Sequence, residues 1–245
     1  MKTLRSLSAA FAVAAAALAL SAGALGGAAG ARDDGEAKLP PPRREYEGRR
    51  IAQTMHWSGA DWLLRETREK EENPRRLLAA LDVKPGETVC DLGCGNGYHA
   101  LKLAKMVGPT GKVIAVDIQR EMLELLRARA EEAGIANIER VLGGLADPKL
   151  PPASCDLVLM VDVYHELSYP ERVLGHVRRA LRPGGRLALV EFRAEDPKVP
   201  IKKLHKMSKA QILKELVPNG FVLERECDEL PWQHLMIFGR SREAR

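Results

Sequence analysis

The chain has 245 residues, 45% hydrophobic and 29% charged, with a formal net charge of +5 at pH 7. That composition suits one α/β domain with extensions and excludes a wholly disordered, fibrous or disulfide-dense protein. The excess of positive charge falls to +3 without residues 1–31, which carry Lys2 and Arg5 and no acid, too weak a bias for a nucleic-acid partner.

The chain opens with Lys2 and Arg5, then an apolar stretch from about Ala9 to Leu20, then the small-residue steps Ala22-Gly23-Ala24 and Ala29-Gly30-Ala31. This is the layout of a secretory signal peptide, so residues 1–31 are expected to be removed and the protein exported to the periplasm or beyond. The apolar run is short for a membrane span, which takes about 20 residues. No stable membrane span is expected in the mature chain. An uncleaved anchor, or a cytoplasmic chain started at Met55, is the alternative. Cys90, Cys94, Cys155 and Cys227 form no paired framework and no second metal pair, and read as small buried residues.

Residues 32–73 are read as an N-terminal arm and helical cap. The arm includes Pro40-Pro41-Pro42 and polar flanks, a linker composition. Ser58 or Asp61 is placed to cap a helix carrying Trp62, Leu63 and Leu64. Asn73-Pro74 reads as an N-cap followed by proline in the first turn of a second helix.

From residue 74 to 245 the pattern is that of one domain. Strands are expected at 88–92, 112–118, 138–143, 155–163, 186–192, 221–228 and 234–239, with helices near 97–107, 120–133, 169–181 and 208–217. Stretches such as KVIAVD and CDLVLMVD are apolar nearly throughout, as a parallel sheet covered on both faces requires. The alternation gives a Rossmann-like, doubly wound sheet of seven strands, mostly parallel.

The loop after the first of these strands reads VCDLGCGNGYH, with Gly93, Gly95 and Gly97 at every second position and Asp91 just before them. In a parallel sheet this loop borders the ligand crevice, and bare backbone lets a ligand approach closely. A dinucleotide loop would read G-x-G-x-x-G. Here the third glycine comes one residue early, and Asp91 would repel a pyrophosphate while suiting an ammonium group. Asp117 ends the next strand, where a carboxylate accepts hydrogen bonds from both hydroxyls of a ribose. An ammonium, a ribose and no diphosphate are the parts of S-adenosylmethionine.

The ordered segments VCDLGCGNGYH, VIAVDI, CDLVLMVDVYHEL and LRPGGRLALVEF resemble the class I S-adenosylmethionine-dependent methyltransferases over roughly residues 74–240. Within that class the chain is similar to the small-molecule group that includes quinone-biosynthesis C-methyltransferases. YHELSYPERVL, HKMSKAQILKEL and LPWQHLMIFGR also resemble a bacterial branch of predicted methyltransferases. The resemblance implies a fold with an antiparallel last strand, S-adenosylmethionine as cofactor and a small-molecule acceptor. It implies no oligomeric state. Cofactor contacts are expected from Asp91, Gly93, Gly95, Gly97, Asp117, Ile118 and Asp162. The family's acid near the adenine amino group aligns with Gly144, and the next acid is Asp147, so either Asp147 takes that role or the backbone alone does.

Methyl transfer from a sulfonium needs an aligned nucleophile and, where required, a base. Tyr164, His165 and Glu166, after the fourth strand, are the expected catalytic residues, with His165 as base or orienting group and Glu166 setting its tautomer. Glu191 ends the fifth strand on the same side, and His205 is placed to reach in from a lid. Trp57, Trp62 and Trp232 are candidates to roof an apolar acceptor pocket. No metal is expected: Asp162 and Glu191 offer two oxygens, but the acid–amide pair of magnesium-dependent relatives is missing. A non-catalytic protein that kept the same fold and cofactor is the rival reading.

Overall fold

A computed structural model describes residues 39–241. The expected signal peptide and the first part of the arm lie outside the described residues. Among the described residues, no helix is long and apolar enough to cross a membrane.

Seven strands carry the sheet: β1 (Thr88–Leu92), β2 (Lys112–Asp117), β3 (Ile138–Leu142), β4 (Cys155–Val161), β5 (Leu181–Arg193), β6 (Phe221–Cys227) and β7 (Gln233–Arg240). Their spatial order is β3-β2-β1-β4-β5-β7-β6. β1 pairs in parallel with β2 and β4, β2 with β3, and β4 with β5. β7 is antiparallel to both neighbours, with Leu235 opposite Val190 and Cys227. A two-residue strand, Lys206–Met207, adds in parallel to the end of β5. β5 starts five residues before the expected strand. Leu181 pairs with Cys155, and the register then slips until Arg186 faces Leu157. Pro183-Gly184-Gly185 sits in this slip, where a Cβ on Gly185 would lie 3.0 Å from the carbonyl oxygens of Arg182 and Cys155.

Among the described residues, six helices accompany the strands: α1 (Arg68–Glu72), α2 (Pro74–Leu81), α3 (Ala100–Val107), α4 (Arg120–Glu132), α5 (Pro170–Ala180) and α6 (Lys209–Leu216). The strand pleat sends successive side chains to opposite faces, and the core divides accordingly. Val89, Val113 and Leu157 pack with Leu77 and Leu81 of α2, Leu103 of α3 and Leu126 of α4. Cys90, Ile114 and Val158 pack with Val173 and Val177 of α5 and Ile212 and Leu216 of α6. Cover on both faces is why these strands are apolar throughout.

Local signals hold in detail. The Asn73 side chain accepts from the Arg76 amide with Pro74 opening α2, and Ser208 Oγ accepts from the Gln211 amide at the start of α6. The expected helix around Trp62 is a 3-10 helix, Trp57–Leu64, and its N-cap is His56, which accepts from the Ser58 amide. None of the four cysteines is bridged; Cys90, Cys94 and Cys155 are buried.

A two-stranded hairpin, Glu45–Tyr46 with Arg49–Arg50, precedes the domain. Arg49 pairs with the buried Glu215 of α6 at 2.6 Å and donates to the His165 carbonyl at 2.9 Å. The arm is thereby fastened across the C-terminal edge of the sheet.

Candidate active site

The strand order reverses direction between β1 and β4, and ligands of such sheets bind at that point, beyond the strands' carboxyl ends. A cavity of about 650 Å³ opens there, within the usual range of about 300–1,000 Å³ for small-molecule sites. Its lining comes from the loops after β1 to β5 and from residues 53–63 and Arg68 of the arm and cap. The Trp57 amide donates to Gln119 Oε1 and Gln119 Nε2 donates to the Met55 carbonyl, tying the cap over the loop after β2.

One side of the cavity is built on the glycine loop. Gly93 has φ +78°, and a Cβ there would lie 2.4 Å from Val163 Cγ2. Bare backbone therefore lets the β4 loop close against it. Gly95, at φ +53°, lines the cavity, and its amide donates to Asp117 Oδ2 at 2.9 Å. Asp117 Oδ1 accepts from the Gln119 amide at 2.9 Å. A carboxylate offers about four acceptor positions, so Asp117 retains room for further donors from the cavity it lines. Burial raises its carboxyl above the usual range, against the backbone bonds that pull it down. Beside it, Val116, Ile118, Met122 and Leu145 form an apolar wall, a surface suited to a flat heteroaromatic ring.

Two further buried acids, Asp91 and Asp162, lie near Arg68. Asp91 is buried, with Oδ2 unpartnered. Burial, and next the Asp117 charge, push its carboxyl up to about 7. Asp162, at φ +55°, takes a hydrogen bond from Gln233 Nε2 at 2.7 Å through Oδ2, while Oδ1 is unpartnered. Burial, with Glu72 and Glu191 nearby, drives Asp162 well up. Orphaned carboxyl oxygens in a closed site call for a cationic partner. Arg68 lines the same region, held by Glu72 at 2.7 Å and the Leu63 carbonyl at 2.8 Å. Ammonium, sulfonium, carboxylate, ribose and adenine thus each meet a surface of matching chemistry, and the residues fit S-adenosylmethionine.

The opposite end is built around His165. Its Nδ1 lies 2.6 Å from Glu191 Oε2, and its amide donates to Glu191 Oε1 at 3.3 Å. Its Nε2 is 3.0 Å from His205 Nδ1. Burial lowers the imidazole's proton affinity, but the Glu191 charge and hydrogen bond, with Glu166, raise it overall. Burial raises Glu166 to about 7, against the opposing pull of His165. Phe192, Pro200, Ile201 and Lys202 complete this end, mostly apolar with one cation.

The sequence pattern of the methyltransferase domain family matches residues 83–235. The chain belongs to the methyltransferase domain family. A solved S-adenosylmethionine-dependent methyltransferase from Aquifex aeolicus is 26% identical with a TM-score of 0.71, over 76% of this chain and 98% of that one. The class is thus the S-adenosylmethionine-dependent one, with a Rossmann-like sheet and that compound as cofactor. Among curated relatives, a nocamycin O-methyltransferase of Saccharothrix syringae is 36% identical over 47% of this chain and 41% of its own length. A ubiquinone/menaquinone biosynthesis C-methyltransferase of Escherichia fergusonii is 35% identical over 45% of this chain and 44% of its own length. The chain therefore spans less than half the length of each.

The methyltransferase fold brings Gly93, Gly95, Asp117, Ile118, Asp162, His165 and Glu166 to the cavity wall; Asp91 is buried outside that lining, and other expected site residues lie elsewhere. Gly97 has φ +82° and faces α4, where a Cβ would lie 2.2 Å from Leu126 Cδ1. Asp147 accepts from the Lys149 amide at 2.7 Å and lies 3.2 Å from His176 Nδ1, while Gly144, Leu145 and Pro148 line the cavity. Tyr164 is fully buried, and its hydroxyl donates to Glu215 at 2.9 Å, outside the lining. The group on His165 Nδ1 is Glu191, not Glu166, because the parallel pairing of β4 with β5 delivers Glu191 beneath the 3-10 turn Tyr164–Glu166. Glu166 Oε1 stands 3.9 Å from Nε2 instead. Of the tryptophans, Trp62 lines the cavity. Arg68 was not legible: it sits in the charged run REKEE, which reads as a solvated face.

Proposed function

We propose that the protein transfers a methyl group from S-adenosylmethionine to a small-molecule acceptor, and that the acceptor binds between His165 and the segment Phe192–His205. The observation that carries this reading is one cavity with two chemically distinct ends. The glycine loop, Asp117 and Asp162 lie at one end, and His165, backed by Glu191, at the other. The nocamycin and ubiquinone/menaquinone relatives support an acceptor of small-molecule size.

When bound, S-adenosylmethionine supplies an activated methyl group on a cationic sulfur. Asp117 would hold the ribose, the apolar wall of Ile118 and Leu145 the adenine, and Arg68 the carboxylate, while Asp91, buried behind the lining, would supply the counter-charge for the ammonium. Glu191 fixes the proton of His165 on Nδ1 and so leaves the electron pair of Nε2, 3.0 Å from His205 Nδ1, at the acceptor end. Closure by the cap and the Phe192–His205 segment excludes water and shortens the approach of the nucleophile. The expected signal peptide supports an exported protein, which must then meet its cofactor outside the cytoplasm.

Calorimetry with S-adenosylhomocysteine and NAD tests the cofactor. Saturable binding of the first and none of the second is expected; the reverse would overturn the assignment. Methyl transfer from labelled S-adenosylmethionine, screened over hydroxylated aromatic compounds, tests turnover. Replacing His165 by alanine should cost about 100-fold in rate with cofactor affinity nearly unchanged.

A further inference from the structure

We propose that His165, Glu166 and His205 form a binding site for a divalent transition-metal ion of the zinc class at the acceptor end of the cavity. Two imidazole nitrogens and one carboxylate oxygen are a donor set suited to such ions. The three atoms are His165 Nε2, His205 Nδ1 and Glu166 Oε1, separated by 3.0, 3.9 and 4.0 Å. A point equidistant from them lies about 2.1 Å from each, within the Zn–N and Zn–O range of about 2.0–2.2 Å. The carboxylate's stand-off matters here. Hydrogen bonds to Thr54 and to the Met55 backbone hold Glu166 back from both rings, so its Oε1 stands at ion-sharing separations and not at the hydrogen-bonding distance of about 2.8 Å.

The surroundings orient the donors as an ion needs. Glu191 Oε2 lies 2.6 Å from His165 Nδ1, which fixes the proton there and turns the lone pair of Nε2 toward the common point. A carboxylate behind a metal-binding histidine is the usual outer support of such sites. Glu191 is fully buried, so this support is built into β5 and not borrowed from a mobile surface group. His205 comes from a separate segment, the 3-10 turn Lys203–His205, and is partly exposed, which gives an ion a route in. All three ligands line the cavity. Three protein ligands beside an open cavity leave a coordination position for an exogenous group, the arrangement of a catalytic site and not of a closed structural one. With an ion bound, His165 Nε2 is a ligand and not a base, and the site favours an acceptor that presents an oxygen. The donor geometry itself does not depend on the methyltransferase reading.

The test uses the full chain without an affinity tag, stripped with a chelator and titrated with zinc(II) against a chromophoric competitor. One zinc per chain is expected, with affinity weakened at least 100-fold in His205→Ala and in Glu166→Gln. Glu191→Gln should weaken it about 10- to 100-fold. S-Adenosylhomocysteine affinity in His205→Ala should stay within about threefold of the parent chain, which shows that the variant is folded. Absence of a stoichiometric zinc site in the parent chain overturns the proposal. So does a site that survives His205→Ala and is lost in Cys227→Ser, which would place the ion on the thiol. Failure of the parent chain to bind S-adenosylhomocysteine would overturn the cofactor reading and leave the zinc result standing.

Discussion

Replacing Asp91 by asparagine should stabilise the ligand-free protein at alkaline pH while weakening its cofactor binding. In the unfolded chain this carboxyl ionises near its ordinary value of 3.8, and in the fold near 7. Between those values the folded state holds more protons, so its stability falls as pH rises from about 4 to 7 and stays low above that. A displacement of that size corresponds to about 4 kcal/mol. Asparagine removes the charge but leaves its NH2 where Oδ2 has no partner, at a cost of about 1–3 kcal/mol. The net gain is about 1–3 kcal/mol at pH 8, or about 3–10 °C in Tm for a domain of this size. At pH 5 the folded carboxyl is already protonated and the gain should vanish. The ammonium of S-adenosylhomocysteine loses its counter-charge in the same variant, so its affinity should fall about 10- to 100-fold. Thermal unfolding at pH 5 and pH 8, with calorimetry at pH 7.5, reads both effects. A variant equally destabilised at both pH values, or one that binds S-adenosylhomocysteine as the parent does, would refute the reasoning.

Asp117→Ala should weaken S-adenosylhomocysteine binding about 10- to 100-fold and lower Tm, because it also strips the Gly95 and Gln119 amides of their acceptor; affinity within threefold of the parent would contradict the ribose assignment. Gly97→Ala should cost about 2–5 kcal/mol in urea unfolding, from left-handed backbone and collision with the buried Leu126. Gly134→Ala, at φ +64° with open space around it, should cost only about 1–2 kcal/mol, and equal losses would show that Leu126 gives way. N-terminal sequencing of protein from the native host should find the mature chain beginning after Ala24 or Ala31, and an intact Met1 on cytoplasmic protein would remove the export reading.

The sheet was legible because its central strands are buried on both faces, so apolar runs mark them, while glycine or proline breaks bound the half-exposed edge strands Ile138–Leu142 and Phe221–Cys227. Asp117 and His165 were legible for a related reason: each follows a strand end, and strand ends converge on one crevice. What could not be read was direction around a loop. Tyr164 and His165 are neighbours in sequence, yet one hydroxyl goes to Glu215 and the other ring to Glu191. The Glu191–His165 pairing depends on the β4–β5 register, which no local pattern encodes. Gly97 shared the glycine loop's spacing but serves the packing of α4. Arg68 was hidden by its charged neighbours, since only the cap's fold over the sheet turns that helix inward.

The hairpin that fastens the arm also dictates an order of events. Arg49 grips Glu215, 166 residues further along the chain, and the Ala52 amide donates to the His165 carbonyl. Loop closure over such distances is entropically late. The first described segment to leave the ribosome is therefore among the last to find its place. It waits until α6 exists, and a nascent or truncated chain lacking α6 would keep Glu191 behind the His165 ring but lack the Arg49–Glu215 pair that fastens the arm beside it. Assembly of this protein would then pass through a stage in which the sheet has formed as far as β5 and the arm has yet to be fastened to it.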